Sequence, residues 1–193
     1  MYLFDFDNTI YDGDSSLDLV LYSLVRHPLL VICSMFKTIY IYILYMFKVK
    51  SFNNVKESIF SFLYKIKDLY SYIDVFVLKH NHKIKKWYIS RNKSKDVIIS
   101  ASYDLWIEPF CKSIGAYNVI STKVNKSGKI IGNNCKGEEK VILFKKLYKN
   151  VKVKEAYSDS YSDKPMLDLA KKGYIIKKII LFYISDNIIF ILI

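Results

Sequence analysis

The spacing of apolar positions changes twice along the chain. Tyr2–Phe4 is a short, bulky run of the kind found in a strand buried on both faces of a parallel sheet. Asp12-Gly13-Asp14-Ser15-Ser16 then joins turn chemistry to helix-start chemistry, with Asp14, Ser15 or Ser16 as N-cap. The helix this predicts runs to about Arg26, with Leu17, Val20, Leu21 and Leu24 on one face. Pro28 opens the most apolar stretch, which continues to Phe47 and is broken only by Lys37 and small polar groups. Its length, about 20 residues, is that of a membrane span. From Ser51 to Ile66 the pattern is amphipathic, with Val55, Ile59, Phe60, Leu63 and Tyr64 at helical spacing. Asp68 to about Arg91 repeats the style with Ile73, Phe76, Val77, Ile84, Trp87 and Tyr88. His80 and His82 lie two apart, so on a helix they diverge and read as solvated residues.

After Asn92–Lys95 the period shortens. Asp96–Ser100, Asn118–Ser121, Val151–Tyr157 and Tyr174–Ile176 read as strands. Tyr103–Ile114, Lys136 or Gly137 to Tyr148, and Asp163–Lys172 read as helices, and Lys123–Gly132 as a β-hairpin centred on Ser127-Gly128. Alternating strands and helices imply an α/β fold with a doubly wound parallel sheet. Residues 1–14 and 92–193 form its core, and the helical block 15–91 is inserted after the first strand as a cap.

A chain of 193 residues with 52% hydrophobic content is long enough for one well-buried core. The formal net charge of +12 suggests an anionic partner, a nucleic acid or a lipid surface. A chain crowded with Lys, Ile, Asn, Tyr and Phe also reflects A/T-rich coding. The lysines are scattered over helices that carry counter-charges, without a nucleic-acid motif, which argues against that partner. Cys33, Cys111 and Cys135 are widely spaced and odd in number, arguing against a disulfide framework and for a reducing cytosol. No signal peptide precedes the first strand, so a cytoplasmic location is expected, with peripheral attachment to the inner membrane face through the apolar cap left open. The oligomeric state is not legible.

Candidate chemistry begins at Asp5 and Asp7, at the carboxyl end of the first strand, where ligands bind in open parallel sheets. Alternation sets both on one side of an extended backbone. Two such carboxylates repel unless a cation lies between them or they share a proton, and a hard divalent ion such as Mg2+ fits. A blander alternative is two solvated aspartates and a Thr9 that steadies a turn. Partners at other strand ends or helix starts decide between the two: Ser100, a lysine within Cys135–Lys140, and Asp159 with Asp163.

These four pieces, in order and at plausible spacing over nearly the whole chain, resemble the haloacid dehalogenase-like superfamily. Asp5–Ser15, Ile99–Ser102, Asn134–Val141 and Tyr157–Asp163 are similar to its subfamily IB phosphatases, which include phosphoserine phosphatases and a bacterial phosphatidylglycerophosphate phosphatase. The resemblance implies a Mg2+-dependent phosphomonoesterase. Asp5 would be the nucleophile that forms an aspartyl-phosphate, and Asp7 the general acid and then base. Mg2+ would be held by Asp5, the backbone carbonyl of Asp7, Asp159, and Asp163 directly or through water. Ser100 and nearby backbone N–H groups, including that of Ala101, would hold the phosphoryl oxygens. A Lys-Gly pair favours Lys136 as the catalytic lysine, whereas a Cys-x-Gly-x-x-Lys pattern favours Lys140, towards which the reading leans. Asn8 and Ser158 depart from the family, where small residues or glycine are common.

A single crossing by residues 28–47 would put Asp5 and Ser100 on opposite sides of a bilayer. Packing within the cap, as a buried or oligomerising helix pair, is favoured over an interfacial position and that over a true span, and the apolar cap tilts the expected substrate towards an amphiphilic or lipid phosphate. The tail after Ile176 is strongly apolar and reads as an edge strand, a membrane-touching tail or an altered sequence. A non-catalytic scaffold on the same fold is the remaining rival.

Overall fold

A computed structural model describes residues 1–177 and 188–191. Strands β1 (Tyr2–Phe4), β2 (Asp96–Tyr103), β3 (Val119–Thr122), β4 (Val153–Ser158), β5 (Ala170–Ile176) and β6 (Ile188–Ile191) pair in parallel in the order β3-β2-β1-β4-β5-β6. Successive side chains point to opposite faces, so the central strands β1 and β2 feed two cores. Leu3, Val97, Ile99 and Ala156 pack with Phe144, Met166 and Leu167 on one side. Phe4 and Ile98 join Phe6, Trp106 and Phe110 on the other. The strand order reverses between β1 and β4, which opens a crevice at their carboxyl ends.

The cap consists of α1 (Ser15–Arg26), α2 (Pro28–Met46), α3 (Phe52–Ile59), α4 (Leu69–His80) and the short α5 (Lys86–Ile89). Asp14 is the N-cap of α1 and accepts from the N–H groups of Ser16 and Leu17. Ser51 and Asn54 form a reciprocal capping box at α3. The chain then returns to the core, where Lys83 O accepts from Asp12 N and Lys85 N donates to Ile10 O, pinning the loop after β1. Helices α6 (Asp104–Ser113), α7 (Glu138–Leu147) and α8 (Lys164–Leu167) complete the described helices of the core.

Several expectations need correction. The buried face of α1 is Ser15, Leu19, Tyr22 and Ser23, while Leu17 and Leu21 lie exposed. Apolar residues ring this helix, and hydrogen bonds choose the inner face: Trp106 Nε1 donates to Ser15 Oγ and Tyr72 OH to Ser23 Oγ. Helix α2 buries only Val31 and Ser34, so packing within the cap does not account for its apolar residues. The helix expected over Asp163–Lys172 ends at Leu167, and β5 already begins at Ala170. Lys123–Gly132 closes through one bridge, Val124 to Ile130, without forming strands. His80 and His82 do not diverge, because the chain tightens into a 3-10 turn at Asn81–Lys83 and brings their rings to 6.3 Å. In the tail, Ile188–Ile191 extends the sheet beside β5, while residues 178–187 and 192–193 lie outside the described residues.

Candidate active site

Asp5 is the residue after β1, and its N–H donates to Tyr157 O of β4, which fixes it at the sheet crevice. Lys140, in the first turn of α7, is 1% exposed and places its Nζ 2.6 Å from both Asp5 Oδ1 and Asp163 Oδ2. Gly137, at φ 58° and ψ −124°, supplies the bend that starts α7 over the site. Ser158 Oγ donates to Asp163 Oδ2 at 2.7 Å, ordering the β4 end of the same cluster. Lys136 is exposed and has no ion pair with Asp5 or Asp163 among the described residues. Of the two candidate lysines, only Lys140 reaches Asp5.

The charge balance of the cluster is uneven. Burial pushes the Asp5 carboxyl up to about 7, against the pull of Lys140. Burial alone would lower the Lys140 amine, yet Asp5 and Asp163 more than offset it and hold the amine well above the ordinary lysine value. Asp5 thus moves upward mainly through burial, and Lys140 moves upward because its one ammonium faces two carboxylates.

Asp7 faces different partners. Its Oδ1 accepts from Ser15 N at 2.7 Å and its Oδ2 from Ser102 Oγ at 2.6 Å, and Ser16 Oγ lies 3.0 Å from Ser102 Oγ. Burial raises its carboxyl, with Ser102 and Ser15 pulling the other way. Asp5 and Asp7 are thus held by separate groups, one by the core lysine and one by the start of the cap. Asp159 is half-buried, and burial raises its carboxyl also, with an Asn8 hydrogen bond opposing. Asn8 sits at φ 58°, in the left-handed region that asparagine tolerates best among residues with a side chain. Thr9 is fully buried, and its hydroxyl has no partner among the described residues.

The register of β2 on β3 shifts between Ser100 and Tyr103, which takes Ala101 and Ser102 out of the regular ladder. Ser100 Oγ is buried and accepts from Ser102 N at 3.0 Å. Ala101 O accepts from Thr122 Oγ1 and, from the cap, from Lys56 Nζ, which also donates to Asn134 Oδ1. Burial lowers the Lys56 amine to about 8. Lys56, Ser16, Ser102 and Asn134 were not among the residues expected from sequence. Ser102 stands two residues from Ser100 within a hydroxyl-rich strand end, a readable signal, whereas Lys56 is one lysine among many on an amphipathic helix.

Among the described residues, no three acidic, His or Cys side chains converge to hold one ion. The donors the site does offer around Asp5 are carboxylate and carbonyl oxygens, the set a hard divalent cation takes, and their charge exceeds that of Lys140. A concavity of about 1630 Å3 lies elsewhere, between α4 and α6, and shares no residue with this site.

A model of the haloacid dehalogenase-like hydrolases matches residues 2–168. The protein CicA of Caulobacter vibrioides is 40% identical over 89 residues, which cover 42% of this chain and 40% of CicA. A Bordetella pertussis protein of unknown function superposes with TM-score 0.71 at 14% identity, covering 91% of this chain and 89% of that one. A phosphoserine phosphohydrolase-like protein of Francisella tularensis has TM-score 0.55 at 22% identity, covering 91% and 86%. A phosphoserine phosphatase solved as a phospho-aspartyl intermediate analogue has TM-score 0.53 at 18% identity, covering 91% and 85%. At these identities the solved structures show a shared fold.

Proposed function

The chain belongs to the haloacid dehalogenase-like hydrolase family, and from that premise we propose that it is a Mg2+-dependent phosphomonoesterase that works through an aspartyl-phosphate. The observation that carries the reading is the separation of two aspartates at one strand end, Asp5 buried and Asp7 half-buried. Asp5 is pinned by Lys140, and Asp7 by Ser102 and Ser15.

In this reading Asp5 attacks phosphorus in line, and the bond to the leaving oxygen breaks as Asp7 delivers a proton to it. Asp7 then takes a proton from water, which attacks the aspartyl-phosphate and releases inorganic phosphate. Lys140 opposes the effect of burial on Asp5 and so favours the ionised nucleophile. The raised Asp7 carboxyl suits a group that must carry a proton into the first step. Ser100 and the Ala101 N–H take the phosphoryl oxygens. Asp5, the Asp7 carbonyl, Asp159 and Asp163 would hold Mg2+, which would supply charge neutralisation of the phosphate.

The substrate is a small or amphiphilic phosphomonoester, with a phosphoserine-like metabolite as the alternative. The test is hydrolysis of an aryl phosphate, then of a panel of soluble and lipid phosphates, with Mg2+ and with EDTA. Activity should require the metal, and Asp5→Asn should fold normally yet lose at least about a thousandfold in kcat. An intact, Mg2+-loaded protein that hydrolyses nothing in the panel would leave a non-catalytic scaffold as the better account.

A further inference from the structure

The helix that the core does not use carries a second inference. Helix α2 is 19 residues long, about 28 Å at 1.5 Å per residue. It meets the rest of the cap along a narrow stripe of Val31, Ser34, Thr38, Ile41 and Leu44, with Ser34 Oγ donating to Ile59 O of α3. Outside that stripe it presents large apolar side chains to solvent. Leu29 is 77% exposed and Phe36 69%, and Phe47, just past the helix end, is 76% exposed. The strip continues on α1 through Val25 (81%), Leu21 and Leu17. Leu17 adjoins Ser16, which touches Ser102 at the active site, so the apolar surface begins at the rim of the catalytic crevice. Monomeric soluble proteins seldom leave a contiguous surface of this kind uncovered.

Charge narrows the choice of what covers it. Between Asp18 and Glu57 the chain carries Arg26, Lys37, Lys48, Lys50 and Lys56 and no carboxylate. Arg26 marks one end of α2 and the exposed Lys48 and Lys50 the other, so cations bracket the apolar strip. A face for a second copy of this chain would set these cations against one another. An anionic lipid surface matches both features, accepting the apolar side chains below its headgroups and pairing its phosphates with the lysines.

Connectivity settles the orientation. The chain leaves α2 at Phe47 and returns along it as α3, whose Asn53, Asn54, Lys56 and Glu57 are polar, and Lys56 and Glu57 are bonded to the core at Ala101 and Ile130. A hairpin with such a return arm does not cross hydrocarbon. We infer that α1 and α2 form an interfacial docking surface for an anionic phospholipid membrane, with α2 lying in the plane of the headgroups. The inference does not depend on the phosphatase reading, because it concerns adsorption alone.

The test is vesicle flotation of the full chain with phosphatidylcholine vesicles and with vesicles containing phosphatidylglycerol, at low and high salt. Binding should be strong with the anionic vesicles at low salt. Phe36→Asp/Ile39→Asp should weaken it at least about tenfold. Lys48→Gln/Lys50→Gln should weaken it roughly thirtyfold on anionic vesicles alone. Circular dichroism and hydrolysis of a soluble aryl phosphate should be unchanged in both variants. The inference is overturned by absence of flotation at low salt, or by flotation insensitive to both variants. It is also overturned by a vesicle-free dimer in light scattering that Phe36→Asp/Ile39→Asp dissolves while no variant affects flotation.

Discussion

Replacing Lys140 with Met tests the electrostatic design of the site most directly. The ammonium is buried and makes 2.6 Å contacts to two carboxylates. Removing one side of a buried ion pair costs about 3–5 kcal/mol, a large part of the roughly 5–15 kcal/mol that holds a domain together. The cost depends on pH because the abandoned acids can bind protons. Asp5 already sits at about 7 with Lys140 present, against an ordinary value of 3.8. Without the lysine it moves higher. Between the unfolded and folded values the native state holds a proton the unfolded chain has released, so stability falls as pH rises, by about 1.4 kcal/mol per unit for one proton. In the wild type that fall ends near pH 7; in Lys140→Met it continues beyond. The stability gap between the two should therefore be small near pH 5.5 and largest near pH 8. Urea unfolding in EDTA, followed by circular dichroism and by Trp87 and Trp106 fluorescence, measures it. With Mg2+ the variant should also lose about a hundredfold or more in kcat, while Lys136→Ala stays near wild type. A gap below about 1 kcal/mol at pH 8, or one equal at both pH values, would refute the reasoning.

Two further outcomes follow from the cap. The Lys56 amine, lowered to about 8 chiefly by burial, gives up its proton in the folded chain at a pH where the unfolded chain still holds it. Stability should therefore rise from pH 8 to 10, by up to about 2 kcal/mol after allowance for solvent screening, and Lys56→Met should abolish the rise; an identical pH profile for wild type and variant in urea titrations would sink the idea. Gly128 has φ +79°, and a Cβ there would fall 2.2 Å from the Tyr64 ring. Gly128→Ala should therefore cost about 2–4 kcal/mol, seen as a lowered melting temperature, and an unchanged melting temperature would show that Tyr64 swings away freely.

How much of this was legible differs by residue. Asp5, Asp7, Asp159 and Asp163 could be found because each sits at the end of a strand or the start of a helix, where local pattern and chemistry coincide. Lys140 lies on α7 with its side chain turned inward to Asp5, whereas Lys136 precedes the bend at Gly137 and stays in solvent, a difference that depends on a helix boundary the sequence leaves open. Lys56 carried no local signal, because its role arises from a contact 45 residues away with Ala101. The inner face of α1 was misassigned because Leu17, Leu19, Val20, Leu21, Tyr22, Leu24 and Val25 leave no polar side to orient it. Partners distant in sequence, Trp106 and Tyr72, made the choice. The helix expected through Lys172 failed because Ala170–Lys172 gains a ladder on β4, which periodicity alone does not report.

The place of β1 between β2 and β4 has a consequence for biosynthesis. Tyr2–Phe4 pairs with residues 96–98 on one edge and 155–157 on the other. At about 5–20 residues per second the ribosome needs roughly 5–20 s after making β1 before its first partner exists, and longer for its second. Throughout that interval the segment leading into Asp5 is an aromatic, unpaired strand, while the cap helices that follow it can already form from local contacts. The strand at the centre of the finished sheet is therefore the one exposed longest in the nascent chain, and the early cap is the structure best placed to shield it.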